Sequence, residues 1–176
     1  MSTTAQTRKL AIDGGSAAVT DPLPQMYPGG MRIDEAEEAA VLEVLRTKRL
    51  FRYYGPEDGP SKVAELEAAF ARQMGTKHAL GVASGTTALT AALAGLRVGP
   101  GDEVIVPAYT WISTAAAVVA MGAVPVIAEV DESLTLDPRD FAAKITNYTK
   151  AVIPVHMRGT PCAMDEIVET ARLKNV

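Results

Sequence analysis

Cysteine is almost absent: Cys162 is the only one in 176 residues, so no intrachain disulfide framework can form. That scarcity fits a reducing compartment, and a cytoplasmic location is the expectation. Basic charge is not in excess, with 17 Lys and Arg against 21 Asp and Glu and a net charge of -4. A nucleic acid or an anionic membrane needs a basic face, so neither is expected as a partner. Long hydrophobic runs are missing. The longest, residues 115–128, contains Gly122 and Pro125, which suits a buried helix and strand and not a bilayer span. Residues 1–18 lack the basic-then-apolar order of a signal peptide. Aromatics make up 5% of the chain, with one tryptophan, and there are two histidines. No His/Cys/Asp cluster has metal-ligand spacing. The G-x-G-x-x-G and Walker A loops are absent, and Ser84 lacks the G-x-S-x-G elbow that a triad with His156 would need. What is present is ordinary for a globular domain: 48% hydrophobic and 22% charged residues, enough for a core.

Three textures follow one another along the chain. Residues 1–30 are polar and carry Gly14, Gly15, Pro22, Pro24, Pro28, Gly29 and Gly30. They suit an extended arm over the surface or a partner subunit, or equally a loose tail. Residues 31–75 are helical. Asp34 is a candidate N-cap for a helix over 33–48, with Val41, Leu42 and Leu45 on one face. After a Gly/Pro loop over 50–60, Ser61 caps a second helix to Met74, striped by Val63, Leu66, Phe70 and Met74 and ended by Gly75.

From residue 76 onward, short apolar strands alternate with helices. The pattern predicts strands over 78–83, 103–107, 124–128 and 150–155, and helices over 87–96, 111–121, 138–145 and 164–174. Near-continuous apolar strands between helices mean a mostly parallel central sheet covered on both faces, an α/β fold. Val176 reads as the first residue of a further strand, so the domain is expected to continue past it.

Ser84-Gly85-Thr86-Thr87 lies between a predicted strand and a helix start, at the carboxyl edge where ligands bind open α/β sheets. Free amides at a helix N-terminus, the helix dipole and a glycine without a side chain would hold a phosphate well. Taken alone, the motif is more often a simple Ser/Thr N-cap. Trp111 follows the neighbouring strand and can stack on a flat heteroaromatic ring, although a lone tryptophan is more often a core or interface residue. Together, a phosphate cradle and a ring platform on adjacent loops suit a flat, phosphorylated cofactor. His156 ends an apolar strand, with Arg158 after it. It can line a substrate pocket, titrate near neutrality, or serve as a hydrogen-bonded structural histidine. Asp131 and Glu132 are expected to cap a turn.

The run from Lys77-His78-Ala79 through Ser84-Gly85-Thr86-Thr87-Ala88-Leu89, residues 99–107 and Tyr109-Thr110-Trp111-Ile112-Ser113-Thr114 resembles the DegT/StrS family of fold-type I aminotransferases. Gly122-Ala123-Val124-Pro125-Val126, Thr149-Lys150-Ala151-Val152, Pro154-Val155-His156, Gly159, Pro161 and Met164-Asp165 continue the resemblance, which covers about residues 32–176. Order and spacing over such a length are far more specific than any one motif.

The resemblance implies a pyridoxal 5'-phosphate (PLP) enzyme that passes an amino group, from glutamate or glutamine, to a keto-sugar or keto-cyclitol. Residues 76–176 would then be the first part of the PLP-binding large domain. Gly85 and Thr86 match the phosphate-binding residues, with Ser84 beside them as a further cofactor-binding candidate, and Trp111 matches the aromatic that stacks on the ring. Tyr54, His156 and Arg158 become candidates for the substrate pocket. The family is generally dimeric, which gives Gly29, Gly30 and the loop Arg52-Tyr53-Tyr54-Gly55 a place at a subunit interface. The resemblance also implies that the aspartate pairing with the pyridine nitrogen and the Schiff-base lysine lie past Val176. No catalytic residue of the family is therefore expected within these 176 residues, and the chain alone should not transaminate. Two alternatives stand beside the aminotransferase: a sugar dehydratase of the same fold, or a chain that only binds and oligomerises.

Overall fold

The computed structural model describes residues 9–22, 33–53 and 59–176. Tyr54, Gly55, Gly29 and Gly30 lie outside the described residues. The chain divides into two compact units, residues 1–62 and 63–176.

In the first unit, residues 9–22 are almost all exposed and contain one turn of 3-10 helix, Ala11–Asp13. Helix α1, Glu35–Thr47, starts where the sequence expects. Asp34 accepts the Ala36 amide at 3.0 Å while its own amide donates to Glu37 at 2.9 Å, a complete capping box. Its apolar face does not behave as the spacing suggests. Val41, Leu42 and Leu45 are all exposed, and no residue of α1 is buried.

The second unit opens with α2, Lys62–Met74. Here too the predicted stripe is outward: Leu66, Phe70 and Met74 are exposed, whereas Glu67 and Ala71 are buried. Helical periodicity says that a face will be covered but not by what, and no described residue covers this one. Glu67 tolerates its burial because its carboxylate accepts the Gly81 amide at 2.8 Å.

Strands β1 (Glu103–Pro107), β2 (Val124–Ala128) and β3 (Thr149–Val152) form a parallel sheet in the order β2-β1-β3. The central strand β1 is buried on both faces, and alternation splits its side chains between two cores. Val104 and Val106 pack with Leu93, Ala117 and Val118 under α3 (Gly85–Gly95) and α4 (Ser113–Ala120). Ile105 packs with Leu136, Phe141 and Ile167 under α5 (Pro138–Lys144) and α6 (Met164–Lys174). This is the expected doubly covered parallel sheet. At its edge, β2 leaves Val124 and Ile127 exposed.

Two strand expectations need correction. Residues 78–83 are in no ladder. Among the described residues they are held by Thr76 Oγ1 donating to the His78 carbonyl at 3.1 Å and by the Gly81 amide donating to Glu67 of α2. Strand propensity requires a neighbouring backbone to become a strand, and no described residue offers one. The strand expected over 150–155 stops at Val152. The Ile153 amide still reaches the Ile105 carbonyl at 2.9 Å, but Pro154 has no amide to donate. Helix α4 begins two residues later than predicted, which frees Trp111 from it. Gly122 ends that helix at φ 75°.

Candidate functional site

Helix α3 starts in an extended-to-helix switch at Ser84 (φ -159°, ψ 161°). The Ser84 hydroxyl accepts the Thr87 amide at 3.1 Å and lies 2.9 Å from Thr87 Oγ1. Ser84 is therefore an N-cap that accepts from the Thr87 amide, and in its contact with Thr87 Oγ1 either hydroxyl can be the donor. The amides of Gly85 and Thr86 have no acceptor among the described residues. They carry the positive end of the α3 dipole to the surface. Gly85 and Thr86 are exposed, and a Cβ built on Gly85 meets nothing within 4 Å.

The second part of the site is the connection from β1 to α4. Trp111 stands four residues past the strand end and is 75% exposed, turned away from the core. Two bonds fix the backbone under it: Thr110 Oγ1 with Thr114 Oγ1 at 2.7 Å, and the Thr114 amide to the Trp111 carbonyl at 3.0 Å. Ile112, also exposed, is the N-cap residue of α4 but makes no side-chain cap.

One hydrogen bond joins the two parts. Thr86 Oγ1 donates to Ser113 Oγ at 2.8 Å across 27 residues of sequence. It sets the first turns of α3 and α4 side by side, and with them the open amides and the loop that carries the indole. An anionic group on the amides and a flat ring against the indole is the chemistry this pair of surfaces can do. In the sequence Ser113 is only one residue of the Trp111-Ile112-Ser113-Thr114 run. Nothing in a single sequence marks a serine as the partner of a threonine 27 residues earlier.

His156 and Arg158 stand on the connection from β3 to α6. The His156 Nδ1 accepts the Cys162 amide at 3.1 Å, and Cys162 Sγ donates to the Val155 carbonyl at 3.2 Å. Accepting at Nδ1 leaves Nε2 to carry the proton of the neutral ring. His156 is thus a hydrogen-bonded structural histidine whose ring is still exposed. Arg158, also exposed, sits at φ 53°, ψ 27°, in a conformation that costs a non-glycine residue about 1 kcal/mol, within the turn Met157–Gly159 that these two bonds close. No hydrogen bond links either residue to Gly85, Thr86 or Trp111 among the described residues. Tyr54 cannot be placed, being outside the described residues.

Away from the site, Asp131 caps its turn as expected. Its carboxylate accepts the Ser133 hydroxyl at 2.6 Å and the Ser133 amide at 2.8 Å, and these bonds hold its pKa below the usual aspartate value. Asp140 is lowered likewise, first by Lys144 at 2.7 Å and then by the Glu129 amide at 2.6 Å. Among the described residues no helix is long and apolar enough to cross a membrane, and no group of His, Cys, Asp and Glu could hold a metal ion.

Comparison with known proteins brings in the rest of the family. The GDP-perosamine synthase of Caulobacter vibrioides is 41% identical over 155 residues, 88% of this chain and 40% of the relative. The crystal structure of 3-amino-5-hydroxybenzoic acid (AHBA) synthase superposes with a TM-score of 0.76 at 40% identity, over 82% of this chain and 37% of the other. That of a GDP-4-keto-6-deoxymannose-3-dehydratase, with PLP and glutamate trapped together, superposes with a TM-score of 0.68 at 31% identity, over 79% and 36%. The chain therefore spans about two fifths of the length of these relatives. Its fold is that of the fold-type I PLP enzymes. The family match runs over residues 31–176, the whole described sheet and both parts of the site, and the chain belongs to the DegT/DnrJ/EryC1/StrS aminotransferase family.

Proposed function

We propose that this chain supplies the phosphate cradle and the ring platform of a PLP-dependent sugar aminotransferase, one that moves an amino group from glutamate or glutamine to a keto-sugar or keto-cyclitol. One observation carries the reading: the open amides of Gly85 and Thr86 are tied by the Thr86–Ser113 bond to the loop of an exposed Trp111.

The residues present fit a planar, phosphorylated group. Gly85 and Thr86 donate backbone hydrogens to the phosphate, and the α3 dipole stabilises its charge. Gly85 lacks the side chain that would stand in the way. Ser84 contributes by holding the first turn of α3 in shape. Trp111 covers one face of the ring and excludes water from it. When bound, the cofactor supplies the electron sink for amino-group transfer. His156 presents Nε2–H as a donor, and Arg158 a cation, to the substrate side, with Tyr54 as the third pocket residue. A second copy of the chain completes the site in a homodimer, and the protein works in the cytoplasm.

The similarity to a dehydratase supports a second reading, in which the same cradle serves removal of a sugar hydroxyl. The residue at the family's lysine position separates the two.

Trp111 is the only tryptophan, so its fluorescence reports directly on the platform. Pyridoxamine 5'-phosphate, which has no aldehyde to react with surface lysines, is expected to quench it saturably. Absence of saturable quenching would remove the cofactor reading. The substrate class is read separately, by mass spectrometry of nucleotide-linked keto-sugars incubated with glutamate and a chain that includes the family's lysine segment. The aminotransferase reading requires replacement of a carbonyl oxygen by an amine, and the dehydratase reading requires loss of water.

A further inference from the structure

Thr86 and Ser113 stand on the first turns of α3 and α4, and their hydroxyls meet at 2.8 Å with Thr86 donating. Each hydroxyl carries one hydrogen and two lone pairs. The hydrogen that a phosphate oxygen would take from Thr86 is therefore committed to Ser113 in the free protein. It can be released without losing the contact. If Thr86 turns its hydrogen toward an anion, a lone pair of its oxygen faces Ser113, whose own hydrogen then fills it.

We propose that Ser113 is a positioning residue for the phosphate subsite: it holds the Thr86 rotamer in the free protein and donates to Thr86 Oγ1 once an anion is bound. The inference rests on the cradle proposed above and adds a residue to it. A two-hydroxyl chain that ends on a charge is polarised toward that charge, so the Ser113–Thr86 bond strengthens when the site fills. Ser113 has no other assignment that explains its hydroxyl. Helix α4 has no side-chain cap, so Ser113 does not cap it, and the turn beneath Trp111 is closed by Thr110 and Thr114 instead. Ser113 is half-buried beside the buried Thr114, which limits the freedom of its side chain.

The test is a Trp111 fluorescence titration with two probes, pyridoxamine 5'-phosphate and pyridoxamine, which share the ring and differ in the phosphate. Ser113→Ala is expected to weaken the phosphorylated probe about tenfold, the loss of one hydrogen bond in a charged chain, and to leave pyridoxamine unchanged. Ser113→Thr keeps the hydroxyl and should bind like the unaltered chain. In a Thr86→Val background, Ser113→Ala should cost nothing further, because Ser113 acts only through Thr86. Unchanged binding in Ser113→Ala, an equal loss for both probes, or a further loss in the Thr86→Val background overturns the proposal while leaving the cradle standing. Failure of the unaltered chain to bind pyridoxamine 5'-phosphate overturns the cradle and this inference with it.

Discussion

Replacing Gly85 by alanine separates folding from binding more cleanly than any other change at the site. The added methyl meets no atom within 4 Å, and the backbone of Gly85 is not in the left-handed region, so the free protein incurs neither a clash nor strain. Gly85 is the first residue of α3. Glycine is about 1 kcal/mol worse than alanine within a helix, and less so in the first turn, so Gly85→Ala should stabilise the free chain by about 0.5 kcal/mol. For a domain of this size that is a rise in melting temperature of roughly 1–2 °C. Affinity should move the other way. The methyl adds bulk at the helix start, where an anion must come within about 3 Å of the amide nitrogens, and pyridoxamine 5'-phosphate should bind at least tenfold more weakly. Calorimetric melting and a ligand titration on one preparation give both numbers. A destabilised Gly85→Ala would mean that the space is not open. A stabilised variant with full affinity would mean that the phosphate does not approach this helix, and would refute the reasoning.

Other consequences follow from the same geometry. Ile105 is wholly buried in the core under α5 and α6, so Ile105→Ala should cost about 3–4 kcal/mol in urea unfolding, with the slope unchanged. His156→Ala should speed hydrogen exchange at the Cys162 amide, whereas His156→Asn, whose carbonyl oxygen can replace Nδ1, should largely restore protection; equal exchange in both would contradict the clamp. Asp140 has a folded pKa below its unfolded one, so its stabilisation is present above about pH 4 and is lost as pH falls through the folded value. Asp140→Asn should therefore cost about 0.5 kcal/mol at pH 7, discounted for solvent screening, and progressively less as pH falls below about 4, as read by unfolding over a pH series.

How much of this was legible in the sequence varied with the range of the interaction involved. Strands β1 and β2 and helix α6 begin and end where the pattern predicts, because apolar runs between Gly and Pro punctuation are local signals. The segment 78–83 has the composition of a strand without being one, because pairing depends on a distant neighbour that composition does not contain. The stripes of α1 and α2 are apolar as their spacing predicts, yet they are exposed, since periodicity carries no information about the covering surface. At the site, the Ser84 cap and the exposed Trp111 follow from position relative to a strand and a helix. The Thr86–Ser113 bond and the His156–Cys162 clamp do not, because each joins residues whose meeting depends on the finished packing.

The central claim is that the ring and phosphate of the cofactor lie between the α3 N-terminus and the Trp111 indole. Amide-detected NMR of the chain with pyridoxamine 5'-phosphate tests it most directly. The account predicts that the Gly85 and Thr86 amides shift most, and that the probe's ring methyl gives Overhauser contacts to the indole protons of Trp111. Shifts centred elsewhere on the sheet, or binding without contact to that indole, would contradict it.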